Sequence, residues 1–223
     1  MGVVRSAWLG AVLLVLPLVS GGAAYAQGAD VGLINQVAGD VSYVSNSGAG
    51  KVQAFMKMRQ GDRFTVAAGA QLKVVYFQNG RQETWRGPSG FRSGVEHSEP
   101  LAGAVYEVAN FPVGVPQKIQ RIPELLQMAR LGGIQVRGTT PKQRASLEQQ
   151  ADVAAARTTY AQLRQQVPQD DITPELYLFT VLQDYLLYED MKSVADEMLR
   201  RQPGNQEAQQ LAEWARVRIQ ASR

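Results

Sequence analysis

His97 is the one histidine of this 223-residue chain, so any Ser-His-Asp arrangement would have to use it as the base. It sits in the polar stretch Gly94-Val95-Glu96-His97-Ser98-Glu99-Pro100. Glu96, His97 and Glu99 are near enough in sequence to touch one metal ion. One imidazole with two carboxylates lacks the ligand spacing of zinc sites, however, and a solvated loop is the better reading. Gly48-Ala49-Gly50-Lys51 invites comparison with a phosphate-binding loop. That motif needs glycine where Ser45 stands and Ser or Thr where Val52 stands, so a hairpin loop is favoured. Asp170-Asp171 and Glu189-Asp190 are paired carboxylates, which can run acid–base chemistry at suitable separations. Both pairs precede predicted helix starts, where negative charge complements the helix dipole, and capping is the better reading. The expectation is a protein without a catalytic centre, a metal or a cofactor. A hydrolase using His97 is the minor alternative.

Charge is unevenly placed. Residues 117–144 carry six Lys/Arg against one Asp/Glu, while residues 145–223 carry eight against twelve. Lys118, Arg121, Arg130, Arg137, Lys142 and Arg144 thus form a basic joint before an acidic C-terminal segment. The joint can meet an anionic partner such as lipid head groups, acidic polysaccharide or an acidic protein, or serve as a solvated hinge, which is the better reading. No aromatics interleave with these residues, and nucleic acid is not expected.

These residues must be positioned by two different kinds of structure. From Val31 to Phe111, apolar residues recur in short segments separated by turn signals every eight to twelve residues. Leu72, Val74 and Tyr76 alternate with Gln71, Lys73 and Val75, close to the two-residue period of a strand. Asn79-Gly80 then predicts a hairpin joining 71–77 to 82–86. In a type I′ turn both central residues take positive φ, which Asn and Gly tolerate. After Pro116 the period lengthens. Ile119, Ile122, Leu125, Leu126 and Met128 predict an amphipathic helix from near Pro123, stopped by Gly132-Gly133. Further helices are predicted over 146–166, from Thr173-Pro174 to Leu187, over 191–201, and after a cap at Asn205. The fold class read from this is α+β: a small all-β sandwich or barrel over 31–115, a basic connecting segment over 116–144, and a helical segment over 145–223.

The β segment resembles the FecR-type domain of bacterial periplasmic proteins. Val37-Ala38-Gly39-Asp40-Val41 resembles the opening strand. Met58-Arg59-Gln60-Gly61-Asp62-Arg63-Phe64-Thr65 resembles the Leu-x-x-Gly-Asp-x-Ile-x-Thr motif. Leu72–Phe77 with Asn79-Gly80, and then Gly87-Pro88-Ser89, resemble the later strand, turn and close. The resemblance covers Val31 to Gly94 and implies a periplasmic β domain. Gly61, Asp62, Asn79 and Gly80 read as architecture. Glycine relieves the backbone at Gly61, and Asp62 can accept hydrogen bonds from turn amides. The helical segment looks like tetratricopeptide or related helical-hairpin repeats in its rhythm alone.

Residues 1–26 read as a secretory signal. Arg5 precedes the apolar stretch Ala7–Val19, and Ala24-Tyr25-Ala26 fits the small-x-small rule, with cleavage after Ala26. The chain has no cysteine. Together these predict a non-catalytic periplasmic or secreted protein with no membrane span after cleavage. Its partner is expected to be another envelope protein, reached through the helical segment. The alternative is a module for envelope glycan or peptidoglycan, bound through the β domain.

Overall fold

The computed structural model describes residues 28–101, 104–112, 114–131 and 147–221. The signal-like segment 1–26 and Arg137, Lys142 and Arg144 lie outside them. Ten strands come first: β1 (Asp30–Ala38), β2 (Val41–Ser45), β3 (Gly48–Lys51), β4 (Lys57–Arg59), β5 (Arg63–Val66), β6 (Gln71–Tyr76), β7 (Arg81–Arg86), β8 (Ser89–Ser93), β9 (Ser98–Pro100) and β10 (Tyr106–Asn110). Six helices follow: α1 (Gly114–Ile119), α2 (Ile122–Arg130), α3 (Leu147–Gln166), α4 (Thr173–Asp184), α5 (Tyr188–Arg201) and α6 (Gln206–Ala221). The fold is α+β, as the sequence predicts.

The strands form two antiparallel five-stranded sheets, ordered β10-β7-β6-β1-β4 and β3-β2-β5-β8-β9. Ile34, Leu72, Val74 and Tyr76 from the first sheet meet Val41, Phe64, Val66 and Phe91 from the second in one apolar core. Trp85 runs through it, stacked on Phe91 at 4.4 Å and on Tyr106 at 4.2 Å between ring centroids. The reverse face of the first sheet is covered as well. There Leu33 and Val75 join Phe55, Ile119, Ile122, Leu176 and Phe179 in a second core. The layers are therefore sheet, sheet, helices. This is why β6 is buried from Leu72 to Tyr76 without interruption: a strand covered on both faces loses the apolar–polar alternation of a half-exposed one.

The helical layer starts earlier than the composition shift implies. α1 and α2, in the stretch predicted as a connecting segment, pack against α4 and α6 respectively. α4 is central, buried from Thr173 to Leu182 except at Tyr177, and touches α1, α3 and α5. The helix start at Thr173-Pro174 and the cap at Asn205 are as expected: Asn205 Oδ1 accepts the Ala208 N–H at 2.9 Å.

The β6–β7 hairpin forms, with Gln71 opposite Arg86 and Val75 opposite Gln82, but its turn is built differently. Gly80 has φ +71, whereas Asn79 is not among the positive-φ residues, so the predicted type I′ geometry is corrected. The turn closes with the Gly80 N–H on the Tyr76 carbonyl at 3.1 Å. Asn79 works through its side chain instead. Its Oδ1 accepts the Arg81 N–H at 3.0 Å, and its Nδ2 donates to the Glu96 carbonyl at 3.0 Å. At Gly80 a β-carbon would lie 2.4 Å from the Phe111 carbonyl oxygen.

Two outcomes follow. Asn79→Ala should cost about 1 kcal/mol through its lost hydrogen bonds, and Gly80→Ala should cost more because backbone must move. Thermal melts that rank the two in the opposite order would contradict this turn. Residues 145–223 expressed alone should lose helix or self-associate, because Leu176 and Phe179 would face water at about 1.5–3 kcal/mol each. Circular dichroism with sedimentation measures it, and a robust helical monomer would show that the sheet is dispensable.

Candidate functional site

A cluster of buried polar side chains lies where the first sheet meets the helices. β1 and β6 shift register between Ile34 and Gln36, which marks a β-bulge at Asn35. The bulge lets two consecutive residues serve the helical face. Asn35 Nδ2 lies 3.3 Å from Asp171 Oδ1 and 2.5 Å from Thr173 Oγ1, and Gln36 Nε2 donates to Asp170 Oδ2 at 3.4 Å. From β7, Gln82 Nε2 donates to Asp171 Oδ2 at 2.9 Å. From β6, the Lys73 ammonium stands 3.5 Å from both Asp170 and Asp171. Thr173 adds its N–H at 2.9 Å and its hydroxyl at 2.6 Å to Asp171 Oδ1. Asp171, Thr173 and Asn35 are wholly buried, and Lys73 is 4% exposed.

A second buried carboxylate lies one helical turn further on. Glu175 receives Arg164 on both oxygens at 3.1 and 2.9 Å, Arg201 at 3.0 Å and the Tyr160 hydroxyl at 3.0 Å. Burial, with Glu175 beside it, pushes the Tyr160 phenol up to about 12. The same two arginines fasten the 168–171 loop. Arg164 donates to the carbonyls of Asp171 (2.6 Å) and Pro168 (2.8 Å), and Arg201 donates to that of Gln169 (3.0 Å). Asp171 thus supports the start of α4, as the paired-carboxylate reading expects, and also bridges two layers.

Beside this seam opens a cleft of about 470 Å³, bounded by β1, the β3–β4 loop and the α5–α6 turn. Gln36, Gln53, Gln202, Asn205 and Gln206 line it. Gln202 is fixed by the Asp170 carbonyl at 2.6 Å and by Asn205 Nδ2 at 2.8 Å; Gln53 and Gln206 are exposed. The loop carrying Gln53 is anchored by Phe55, which is 1% exposed and held at φ +60. That left-handed backbone costs roughly 1–2 kcal/mol in a non-glycine residue. The Phe55 N–H bonds the Ile34 carbonyl at 2.7 Å. The cleft walls present amide donors and acceptors, and the two charged groups at its edge are compensated: Arg201 by Glu175 and Glu197, and Glu207 by Arg130 at 3.9 Å.

Apart from Asp170 and Asp171, the residues singled out from sequence fall elsewhere. Gly61 has φ +89 and donates its N–H to the Ser93 carbonyl at 2.8 Å. Asp62 Oδ2 accepts the Arg59 N–H at 2.9 Å, and burial holds its carboxyl above the ordinary range. Of the basic residues, Lys118 and Arg121 both bind Asp184 at the end of α4. Burial opposes ionisation of Asp184, but those two hydrogen bonds outweigh it and keep its pKa low. Arg130 donates to Gln210 at 2.8 Å. These three cations tie α1 and α2 to α4 and α6. His97 is exposed in the turn between β8 and β9. Its neighbours have other partners, Glu96 accepting from Gln78 at 2.7 Å and Glu99 from Arg92 at 3.5 Å. Among the described residues no group of three or more His, Asp or Glu is arranged to hold a metal ion, and no helix is long and apolar enough to cross a membrane. Compared with protein-family models, with curated proteins and with solved structures, the chain matches none.

Asp171→Ala should destabilise the protein by about 3–5 kcal/mol, because it takes the buried one of two carboxylates from the Lys73 ammonium and removes the acceptor of the buried Thr173, Asn35 and Gln82 donors. Lys118→Ala, at the half-exposed end of the layer, should cost less than about 1 kcal/mol. Urea unfolding of both variants checks the contrast, and equal losses would contradict the importance of the seam.

Proposed function

We propose that the protein is a non-catalytic binding module of the bacterial cell envelope, exported by residues 1–26 and built on a FecR-type β domain. The observation carrying this reading is the amide-lined cleft at the junction of the two structural units. The buried charges beside it are committed to holding that junction together. A ligand seated there would be gripped by the β3–β4 loop and the α5–α6 turn at once, neither of which forms the site alone. Of the apolar residues that motivate an adaptor acting through the helical segment, Leu182 and Leu211 are fully buried, while Leu186 stays 43% exposed. We assign the partner, another envelope protein, to the cleft. A second reading, an envelope polysaccharide as the ligand, is favoured by Gln53 and Gln206. A carboxamide offers both a donor and an acceptor, which matches a hydroxyl-rich chain.

Complementation of a deletion strain separates these readings from an enzyme. His97→Ala should restore the deleted function, while the double variant Gln53→Ala/Gln206→Ala should fail at normal abundance. The reverse outcome would favour catalysis at His97. Envelope-extracted protein should begin at Gln27 by intact mass, and retention of Met1 would overturn export by cleavage.

A further inference from the structure

An edge strand exposes unpaired backbone groups, and proteins usually blunt such edges with charge, proline, glycine or shortness. Three of the four edges here are blunted. β3 is Gly48-Ala49-Gly50-Lys51, with two glycines and a lysine. β4 has three residues, two of them Lys57 and Arg59. β9 also has three, and ends at Pro100. The fourth edge, β10, reads Tyr-Glu-Val-Ala-Asn over five residues, with one charge, Glu107, and no lysine, arginine, proline or glycine. It pairs with β7 in unbroken register from Tyr106 opposite Trp85 to Asn110 opposite Arg81. Its other side has no strand partner among the described residues. Glu107 to Asn110 are exposed. Apolar surface gathers at this border: Val105 is 78% exposed, Val108 45% and Leu101 49%.

We propose that β10 is an interface between two copies of this chain, paired antiparallel about a two-fold axis at Val108. That register follows from charge and apolarity. Val108 faces its own copy, Glu107 faces Ala109, and Tyr106 faces Asn110, so the two Glu107 carboxylates avoid standing opposite each other. Like charges directly opposite destabilise a strand pair, whereas apolar pairs support it. A symmetric antiparallel contact is also self-complementary, which lets it close as a dimer rather than propagate. The first sheets of the two copies then join into one ten-stranded sheet, with the amide-lined clefts outside the contact.

The absence of cysteine from the chain makes the test direct. Residues directly opposed across an antiparallel pair have Cα atoms about 4.5–5.5 Å apart, within the span of a disulfide. Full-length mature protein carrying Val108→Cys should form a disulfide-linked dimer under mild oxidation. Val44→Cys, more exposed at 57% but in β2 of the other sheet, should not. Sedimentation of the unmodified protein should show a concentration-dependent dimer, and Val108→Lys should be monomeric, with a melting temperature that no longer rises with protein concentration and equals that of the dilute unmodified protein. A protein that stays monomeric at all concentrations overturns the interface. So does a dimer that survives Val108→Lys, or equal cross-linking at Val44.

Discussion

The structure depends on one buried carboxylate. Asp171 is out of reach of water, so its charge has to be met inside the protein by Lys73, Asn35, Gln82 and Thr173. Those partners come from β6, β1, β7 and the start of α4, elements up to 136 residues apart in sequence. A buried charge with all its partners is tolerated; with one removed, the rest become a penalty. The first sheet and the helical layer are thereby bound to one relative placement. Apolar contacts between Val75, Phe55 and Phe179 would favour association without specifying it to the same degree.

Other features serve the same joint. The bulge at Asn35 turns two neighbouring side chains toward the helices, which a regular strand cannot do. Phe55 accepts a left-handed backbone and in return fills the second core while holding up the loop that carries Gln53. Arg164 and Arg201 neutralise Glu175 and fix the 168–171 loop from below. The cleft inherits its shape from these constraints, since both of its movable-looking walls, the β3–β4 loop and the α5–α6 turn, rest on them.

Much of the architecture was legible in the sequence because it follows from local rules. Asn79-Gly80 between apolar runs marked a hairpin, and Thr173-Pro174 and Asn205 marked helix starts. The turn at Asn79 was misread in its dihedral angles because an asparagine side chain can close a turn by hydrogen bonding without adopting positive φ. The seam was not legible. Lys73 and Gln82 look like ordinary outward residues of a two-faced strand, and Asp170-Asp171 looks like helix capping. Their pairing is non-local and leaves no periodic trace. One signal was present: Val74-Val75-Tyr76 places apolar residues on both faces of β6, which requires cover on both sides. The basic joint misdirects for a related reason. Lys118, Arg121 and Arg130 look unpartnered in sequence because Asp184, Glu207 and Gln210 lie more than sixty residues away.

The central claim is that the sheets and the helical layer form one cooperative body. Trp85 lies in the sandwich core and Trp214 in the helical core. Denaturant unfolding of residues 27–223 carrying Trp214→Phe, followed by Trp85 fluorescence for the sandwich and by far-ultraviolet circular dichroism for the helices, reads the two parts separately. Coincident transitions with one midpoint are predicted, as two-state unfolding requires. Helices that melt at a distinctly lower denaturant concentration than the environment of Trp85 would contradict the account.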